Sequence, residues 1–174
     1  MKLSRLLLLL LISLSLKSYA QAPPEPAEQI LKEACQQAAK EKKNVFIIFH
    51  ASWCGWCHKM EEAMNDPAVK TFFDKNYVIR HLTVYESKGK EALENPGALA
   101  LLTKYGGNDQ GIPYWLVFDK SGNLLADSQV SPKNNTGCPA SKEEVAYFVQ
   151  VLQKTASLTT PELAIIADRF RKNE

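Results

Sequence analysis

The chain has 174 residues, 45% of them apolar, which is enough for one globular core and too few for two ordinary domains. It contains 21 basic and 19 acidic side chains, but the first 20 residues hold three basic and no acidic ones, which leaves 18 and 19 in the remainder. This near-neutral remainder has no basic cluster and gives no support for nucleic-acid binding.

The N-terminus has the pattern of a secretory signal peptide. Lys2 and Arg5 precede an apolar run that continues to Leu16, and small residues at positions 18 and 20 suit a cleavage site near Ala20. The apolar run is shorter than the ~20 residues that a retained membrane anchor needs. We therefore predict a signal peptide over residues 1–20 and an exported protein, periplasmic or extracellular, without stable membrane insertion after cleavage.

The next residues lead into the predicted globular domain, which spans residues 27–174. Residues 21–26 contain three prolines and predict an extended linker. A helix follows over residues 27–43, where apolar residues recur at the spacing of one helical face: Ile30, Leu31, Ala34, Cys35 and Ala38.

Two cysteines stand where a strand is expected to turn into a helix. The apolar run from Val45 to Phe49 predicts a buried strand, and residues 59–64 contain helix formers without Gly or Pro. Cys54 would then lie at the helix N-terminus, where unpaired N–H groups and the helix dipole favour ionisation of its thiol. Cys57 follows one turn later, within reach of a disulfide and less exposed. This arrangement indicates thiol–disulfide exchange.

The remaining elements alternate helices with strands. We predict a short helix over residues 68–74, a strand over 77–85 parallel to the first, and a helix over 99–105. A strand beginning at Pro113 and a turn at 119–123 lead into an antiparallel strand over 124–130. A loop over 131–140 follows, and residues 86–94 fit either a loop or a helix. Ser141 and Glu144 predict a capping box for one helix, and a last helix begins at Thr160.

Two of these segments resemble the thioredoxin superfamily. Trp53-Cys54-Gly55-Trp56-Cys57 after a buried strand is similar to its active site, and the Gly111-Ile112-Pro113 strand is similar to its cis-proline strand. The resemblance covers residues 27–155 and is strongest to exported bacterial thioredoxin-like proteins. It implies a thioredoxin fold of the α/β class, a central mixed sheet flanked by helices, here with an extra C-terminal helix.

The resemblance also implies a function and a site. Cys54 and Cys57 would be the catalytic pair of a protein disulfide oxidoreductase that needs no cofactor. Its partners would be proteins with disulfides or thiols, and a membrane electron-relay protein if it works as a reductase. We favour reduction; oxidation or isomerisation, and a non-catalytic binding module, are alternatives. The residues expected to contact substrate are Trp53, Gly55, Trp56, Ile112 and Pro113.

Two positions depart from thioredoxin. Trp56 replaces the proline of the dipeptide between the cysteines, and Ile48 stands where thioredoxin has a buried acidic residue. No carboxylate on that strand can accept the Cys57 proton. Glu61, four residues after Cys57 on the same helical face, is a candidate for proton transfer. The alternative is an ordinary solvated glutamate.

The cysteines and histidines admit other interpretations. Cys54, Cys57 and His58 satisfy the pattern of c-type haem attachment, but haem attachment explains neither the buried strand nor the Gly111-Ile112-Pro113 strand. We predict no metal site, because a structural zinc site normally has four ligands and no second pair is evident. Cys35 and Cys138 complete an even count, which permits either a second disulfide or buried free thiols.

Overall fold

The computed structural model describes residues 22–174, and the predicted signal peptide over residues 1–20 lies outside them. No helix in this described part is long and apolar enough to cross a membrane. The elements in chain order are α1 (Ala27–Glu41), β1 (Asn44–His50), α2 (Gly55–Asn65), α3 (Lys70–Asn76), β2 (Tyr77–Thr83), α4 (Ala98–Lys104), β3 (Tyr114–Phe118), β4 (Leu124–Asp127), β5 (Gln129–Ser131), β6 (Asn134–Asn135), α5 (Lys142–Thr155) and α6 (Thr160–Arg171). Between β2 and α4 the chain is a loop with one short 3₁₀ turn, Glu91–Leu93.

The central sheet has four strands in the order β2-β1-β3-β4. Strand β1 pairs with β2 in parallel and with β3 in antiparallel orientation, and β3 pairs with β4 in antiparallel orientation. This confirms the predicted mixed sheet, including the parallel first pair and the antiparallel last pair. The site-bearing strand β1 therefore lies inside the sheet with neighbours on both edges.

Strand β1 divides the core into two layers, because successive side chains of a strand point to opposite faces. Phe46 and Ile48 pack with residues of α2, α3, α5 and α6. Ile47 and Phe49 pack on the opposite face with residues of α1 and α4. All four side chains are buried, which explains why this strand reads as a continuous apolar run rather than an alternating one.

The C-terminal helices complete the first of these layers. The capping box of Ser141 and Glu144 is present at the start of α5, as predicted. Thr159 and Glu162 form a second capping box for α6, whose residues Leu163, Ile166 and Phe170 are buried against the core. The extra C-terminal helix is thus part of the packed domain.

The prediction of one continuous strand over residues 124–130 is wrong, because the strand is interrupted at Ser128. If β4 were longer, the backbone N–H of Trp115 would donate to one of its carbonyls. It donates instead to the side-chain oxygen of Ser128, at 3.2 Å. The carbonyl of Ser128 accepts from Thr136. The chain therefore leaves the sheet at Ser128 and forms a separate hairpin of β5 with β6. Strand β5 begins within the predicted strand, and β6 lies in the region predicted as a loop.

Cys35 and Cys138 are both free thiols, so the alternative of a second disulfide is not realised. Cys35 belongs to the layer under α1, and Cys138 belongs to the layer on the other face of the sheet. The sheet separates the two sulfurs.

Candidate active site

Cys54 and Cys57 form a disulfide at the start of α2, with their Cα atoms 5.2 Å apart. Cys54 is the N-cap residue of this helix, and its Sγ accepts a hydrogen bond from the N–H of Cys57 at 3.1 Å. The first turn of α2 carries no acidic side chain. A thiolate at Cys54 would thus be stabilised by a directed backbone N–H and by the helix dipole, which is the predicted condition for a reactive cysteine.

The expected difference in exposure between the two cysteines is absent in this disulfide form. Cys54 is 3% exposed and Cys57 is 4% exposed. Both pack against Ala51 and Ile112 in a small cluster of their own. Because both sulfurs belong to one bond beneath the same rim, neither is more accessible than the other.

The predicted proline strand meets the cysteine pair. The Ile112–Pro113 peptide bond is cis, as the resemblance implies. The carbonyl oxygen of Ile112 lies 3.5 Å from the Sγ of Cys54. Two segments almost 60 residues apart in sequence, at Cys54 and Ile112, thereby form one surface.

The tryptophans flanking Cys54 form the exposed rim of the site. Trp53 is 57% exposed, and its indole N–H donates to the carbonyl of Tyr85 at 2.7 Å. Trp56 is 49% exposed, and the ammonium of Lys59 lies 4.3 Å from its ring centroid. A Cβ added at Gly55 between them would meet nothing within 4 Å. The rim is therefore open at Gly55, and each indole contacts a neighbouring group.

A carboxylate that no sequence motif singled out anchors the active-site loop. Glu86 accepts hydrogen bonds from the backbone N–H of Ser52 at 2.6 Å and from its hydroxyl at 2.8 Å. These bonds hold the pKa of Glu86 below its ordinary value. His58 contacts the carbonyl of the same serine, with its Nε2 at 3.0 Å. Parallel strands β1 and β2 end at the same sheet edge, so the position of Glu86 just after β2 was the available signal.

The face of β1 and β2 that packs against α2 carries two histidines instead of a carboxylate. The rings of His50 and His81 are 5.0 Å apart, and the Nε2 of His50 lies 3.2 Å from the hydroxyl of Thr83. Burial lowers the pKa of both histidines, and the negative charge of Glu61 opposes this effect. Glu61 itself is exposed on α2. Its role in proton transfer stays a prediction.

The geometry also bears on haem attachment and metal binding, the other interpretations of the cysteines. In this structure both sulfurs are bonded to each other, whereas haem attachment uses each as a separate thioether. Across residues 22–174, no three or more His, Cys, Asp or Glu side chains are grouped so that they could hold a metal ion.

Comparison with known families places this geometry in context. The sequence model of a family described as thioredoxin-like matches residues 27–120, more than half of the chain. This range includes both cysteines, the Glu86 anchor and the cis-proline. Among curated proteins, none matches the chain.

Several solved structures are similar to this chain. The disulphide isomerase from Xylella fastidiosa Temecula1 superposes with a TM-score of 0.51 at 16% identity, over 90% of this chain and 93% of its own. A DsbH oxidoreductase gives a TM-score of 0.48 at 20% identity, over 76% and 83%. The C-terminal domain of DsbD from Neisseria meningitidis, in the oxidised form, gives 0.41 at 26% identity, over 60% and 84%. The likeness to the first of these supports the thioredoxin fold.

Proposed function

This chain belongs to the thioredoxin-like family, and from that premise we propose that it is an exported thiol–disulfide oxidoreductase that reduces disulfides in proteins. The fold and the Cys54–Cys57 disulfide support thiol–disulfide oxidoreductase activity in general. The observation that carries the proposal is the environment of the Cys54 sulfur. It caps α2, receives the Cys57 N–H and lies against the carbonyl of Ile112 under an open rim.

The proposed reaction starts from the dithiol form. The Cys54 thiolate attacks a substrate disulfide, which forms a mixed disulfide and releases one substrate thiolate. The Cys57 thiol then loses its proton and attacks Cys54, which releases the second substrate thiol. The products are a substrate dithiol and the Cys54–Cys57 disulfide seen here. A further dithiol donor must reduce this disulfide, and we assign that step to a membrane protein that relays electrons.

The residues around the sulfurs have proposed roles in this reaction. The exposed indoles and the open backbone between them would contact the substrate chain, and the cis-proline segment would pair with its backbone. Glu61 would assist removal of the Cys57 proton. The proposed substrate-contacting residues are Trp53, Gly55, Trp56, Ile112 and Pro113.

The proposed location and domain limits come from the sequence. Residues 1–20 would be a signal peptide, residues 21–26 a linker and residues 27–174 a single thioredoxin-like domain. Export to the periplasm or the exterior would place the protein where its substrates hold disulfides. Fractionation of cells that express the full chain, with N-terminal sequencing of the mature protein, checks both the compartment and the cut near Ala20.

Single-cysteine variants test the catalytic roles. Reduction of insulin by dithiothreitol, followed by turbidity, should be accelerated by the wild-type chain and not by Cys54→Ser. Cys57→Ser should instead accumulate mixed disulfides with protein substrates, seen as adducts that disappear on reduction. Normal turnover by Cys57→Ser would contradict the assignment of Cys57 as the resolving cysteine.

The direction of the reaction is tested by the reduction potential of the Cys54–Cys57 pair. Equilibration with glutathione buffers and alkylation of free thiols gives this value. A potential near about −270 mV, like that of thioredoxin, agrees with a reductase. A potential near about −120 mV would mean that the chain donates disulfides, and the reductive role would be wrong.

A further inference from the structure

The hairpin of β5 and β6 lies beside the cis-proline segment and is firmly attached to the core. The backbone N–H and the hydroxyl of Thr136 both donate to the carbonyl of Ser128, at 2.8 and 3.0 Å. The indole N–H of Trp115 donates to the carbonyl of Gly137 at 3.0 Å. Ser128 and Trp115 are fully buried, so the hairpin is anchored to the sheet and not a free loop.

One side chain of this hairpin binds the cis-proline segment. The Nδ2 of Asn135 lies 3.2 Å from the carbonyl oxygen of Gln110, 3.3 Å from that of Gly111 and 3.1 Å from that of Pro113. Its Oδ1 accepts from the N–H of Gly137 at 3.0 Å, which fixes the orientation of the amide. The two hydrogens of one amide nitrogen are shared among three backbone carbonyls.

The carbonyl that Asn135 leaves out is that of Ile112. It is turned instead toward the cysteine pair, 3.5 Å from the Sγ of Cys54. Among residues 22–174, the Ile112 N–H makes no hydrogen bond to another backbone group. Asn135 thus holds the carbonyls on both sides of Ile112, while the Ile112 peptide groups remain available beside the sulfur.

The hairpin and Trp56 enclose a groove over this peptide. The cavity has a volume of about 260 Å³, and its lining includes Trp56, Ile112, Pro113, Thr136 and Gly137. A free backbone N–H and carbonyl at the floor of a groove suit pairing with an extended polypeptide, in which main-chain hydrogen bonds give affinity. A small disulfide has no backbone to pair and needs only access to Cys54.

We propose that Asn135 is a positioning residue that holds the Ile112 peptide for pairing with an extended, disulfide-bearing protein segment, and that the end of the hairpin lines this groove together with Trp56. This rests on the proposed function. It assigns to the hairpin a preference for polypeptide disulfides over small ones. Asn135 acts through the Ile112 backbone and does not contact the sulfurs.

Two variants of Asn135 and one control test the proposal. Asn135→Ala removes the amide, whereas Asn135→Asp keeps the acceptor for the Gly137 N–H and loses the donors to the three carbonyls. Asn134→Ala changes the exposed neighbour in the same hairpin. Each protein is assayed with intact insulin, with dithiothreitol as the reductant. Each is also reduced beforehand and reacted in a single turnover with the small aromatic disulfide 5,5′-dithiobis(2-nitrobenzoate), and its reduction potential is measured.

Both Asn135 variants should raise KM for insulin about tenfold, with kcat changed less, which is the effect expected when hydrogen bonds of ordinary strength are lost. Their rates with the small disulfide should stay within about twofold of wild type, and their reduction potentials should equal that of wild type. Asn134→Ala should match wild type with both substrates. A loss with insulin but not with the small disulfide distinguishes positioning of a peptide from a general structural role.

Other outcomes overturn the inference. Unchanged insulin kinetics in both Asn135 variants would show that the amide does not position the substrate. An equal loss with both disulfides, or a shifted potential, would assign Asn135 a structural role only. If the wild-type chain reduced neither disulfide, the proposed function itself would fail, and that result does not depend on any variant.

Discussion

The carboxylate of Glu86 holds both polar groups of Ser52, accepting from its backbone N–H at 2.6 Å and from its hydroxyl at 2.8 Å. Ser52 precedes Trp53 and Cys54, so this contact fixes the entry to the active-site helix. The adjacent residue Tyr85 has a left-handed backbone, with φ +56, and its carbonyl accepts from the Trp53 indole. Two consecutive residues of the loop after β2, Tyr85 and Glu86, therefore accept hydrogen bonds from the active-site loop.

Glu86→Gln should destabilise the protein at pH 7 by about 1–3 kcal/mol, since hydrogen bonds to a buried charged acceptor are weakened. The hydrogen bonds from Ser52 place the folded-state pKa of Glu86 below its ordinary value of 4.5. This contribution is present above pH 4.5 and is lost as the pH falls through the folded-state pKa. Urea unfolding at pH 7 and in acid measures both effects.

The difference between wild type and Glu86→Gln should therefore shrink in acid. Glu62→Gln, a change at an exposed position of α2, is the matched control and should leave stability nearly unchanged at either pH. A difference of the same size at both pH values would show that the charge of Glu86 does not stabilise the loop.

Glu61→Gln should change the pH dependence of Cys57 reactivity, if Glu61 takes up the Cys57 proton. Its charge also raises the pKa values of His50 and His81, which burial lowers. The two half-buried histidines should thus charge less readily in Glu61→Gln, and the variant should lose stability more steeply as the pH falls below 6.5, the ordinary pKa of histidine. Alkylation rates of Cys57 in the Cys54→Ser background, measured against pH, check the first effect.

If Glu61→Gln leaves the pH profile of Cys57 alkylation unchanged, Glu61 does not take up the Cys57 proton. Glu62→Gln again serves as the control, because its side chain is exposed on the same helix. If Glu61→Gln is as stable in acid as the wild type, the charge of Glu61 does not affect the ionisation of the two histidines.

Phe170→Ala should destabilise the protein by about 3–5 kcal/mol, the usual cost of emptying a buried aromatic site. Phe170 is fully buried, and its ring centroid lies 4.8 Å from that of Phe148 on α5. Ile165→Ala lies on the same helix but is 43% exposed, so its effect should stay below about 1 kcal/mol. Denaturant unfolding of both variants measures the difference. Equal small losses would mean that α6 packs only loosely.

Cys35 and Cys138 should differ strongly in reactivity in the oxidised native protein. Burial raises the pKa of both thiols, and it raises that of Cys138 to about 12. Because the thiolate is the reactive form, iodoacetamide at pH 8 should modify Cys138 much more slowly than the half-buried Cys35. Peptide mass spectrometry over time measures both rates, and a Cys35→Ser variant isolates Cys138. Absence of free thiols would indicate a disulfide between them.

Much of the site could be predicted because its signals are local. A continuous run of β-branched and aromatic residues up to Phe49 indicates a buried strand wherever it occurs, and Cys54 caps the next helix because the chain must turn there. The spacing of Cys57 by one helical turn follows from helix geometry alone. The capping box before α5 was predictable for the same reason, because Ser141 and Glu144 lie within four consecutive residues.

The sequence by itself determined the order of the helices and of the four strands of the central sheet, the cysteine pair at a helix start and the amphipathic face of each terminal helix. These features depend on neighbours within about one helical turn. Only the tertiary structure decided which distant groups meet. Three sets of hydrogen bonds join residues far apart in sequence: Glu86 with Ser52, Asn135 with the cis-proline segment, and Ser128 with Trp115 where the chain leaves the sheet. Such pairings depend on where the packed sheet carries each loop, and no local pattern encodes that position.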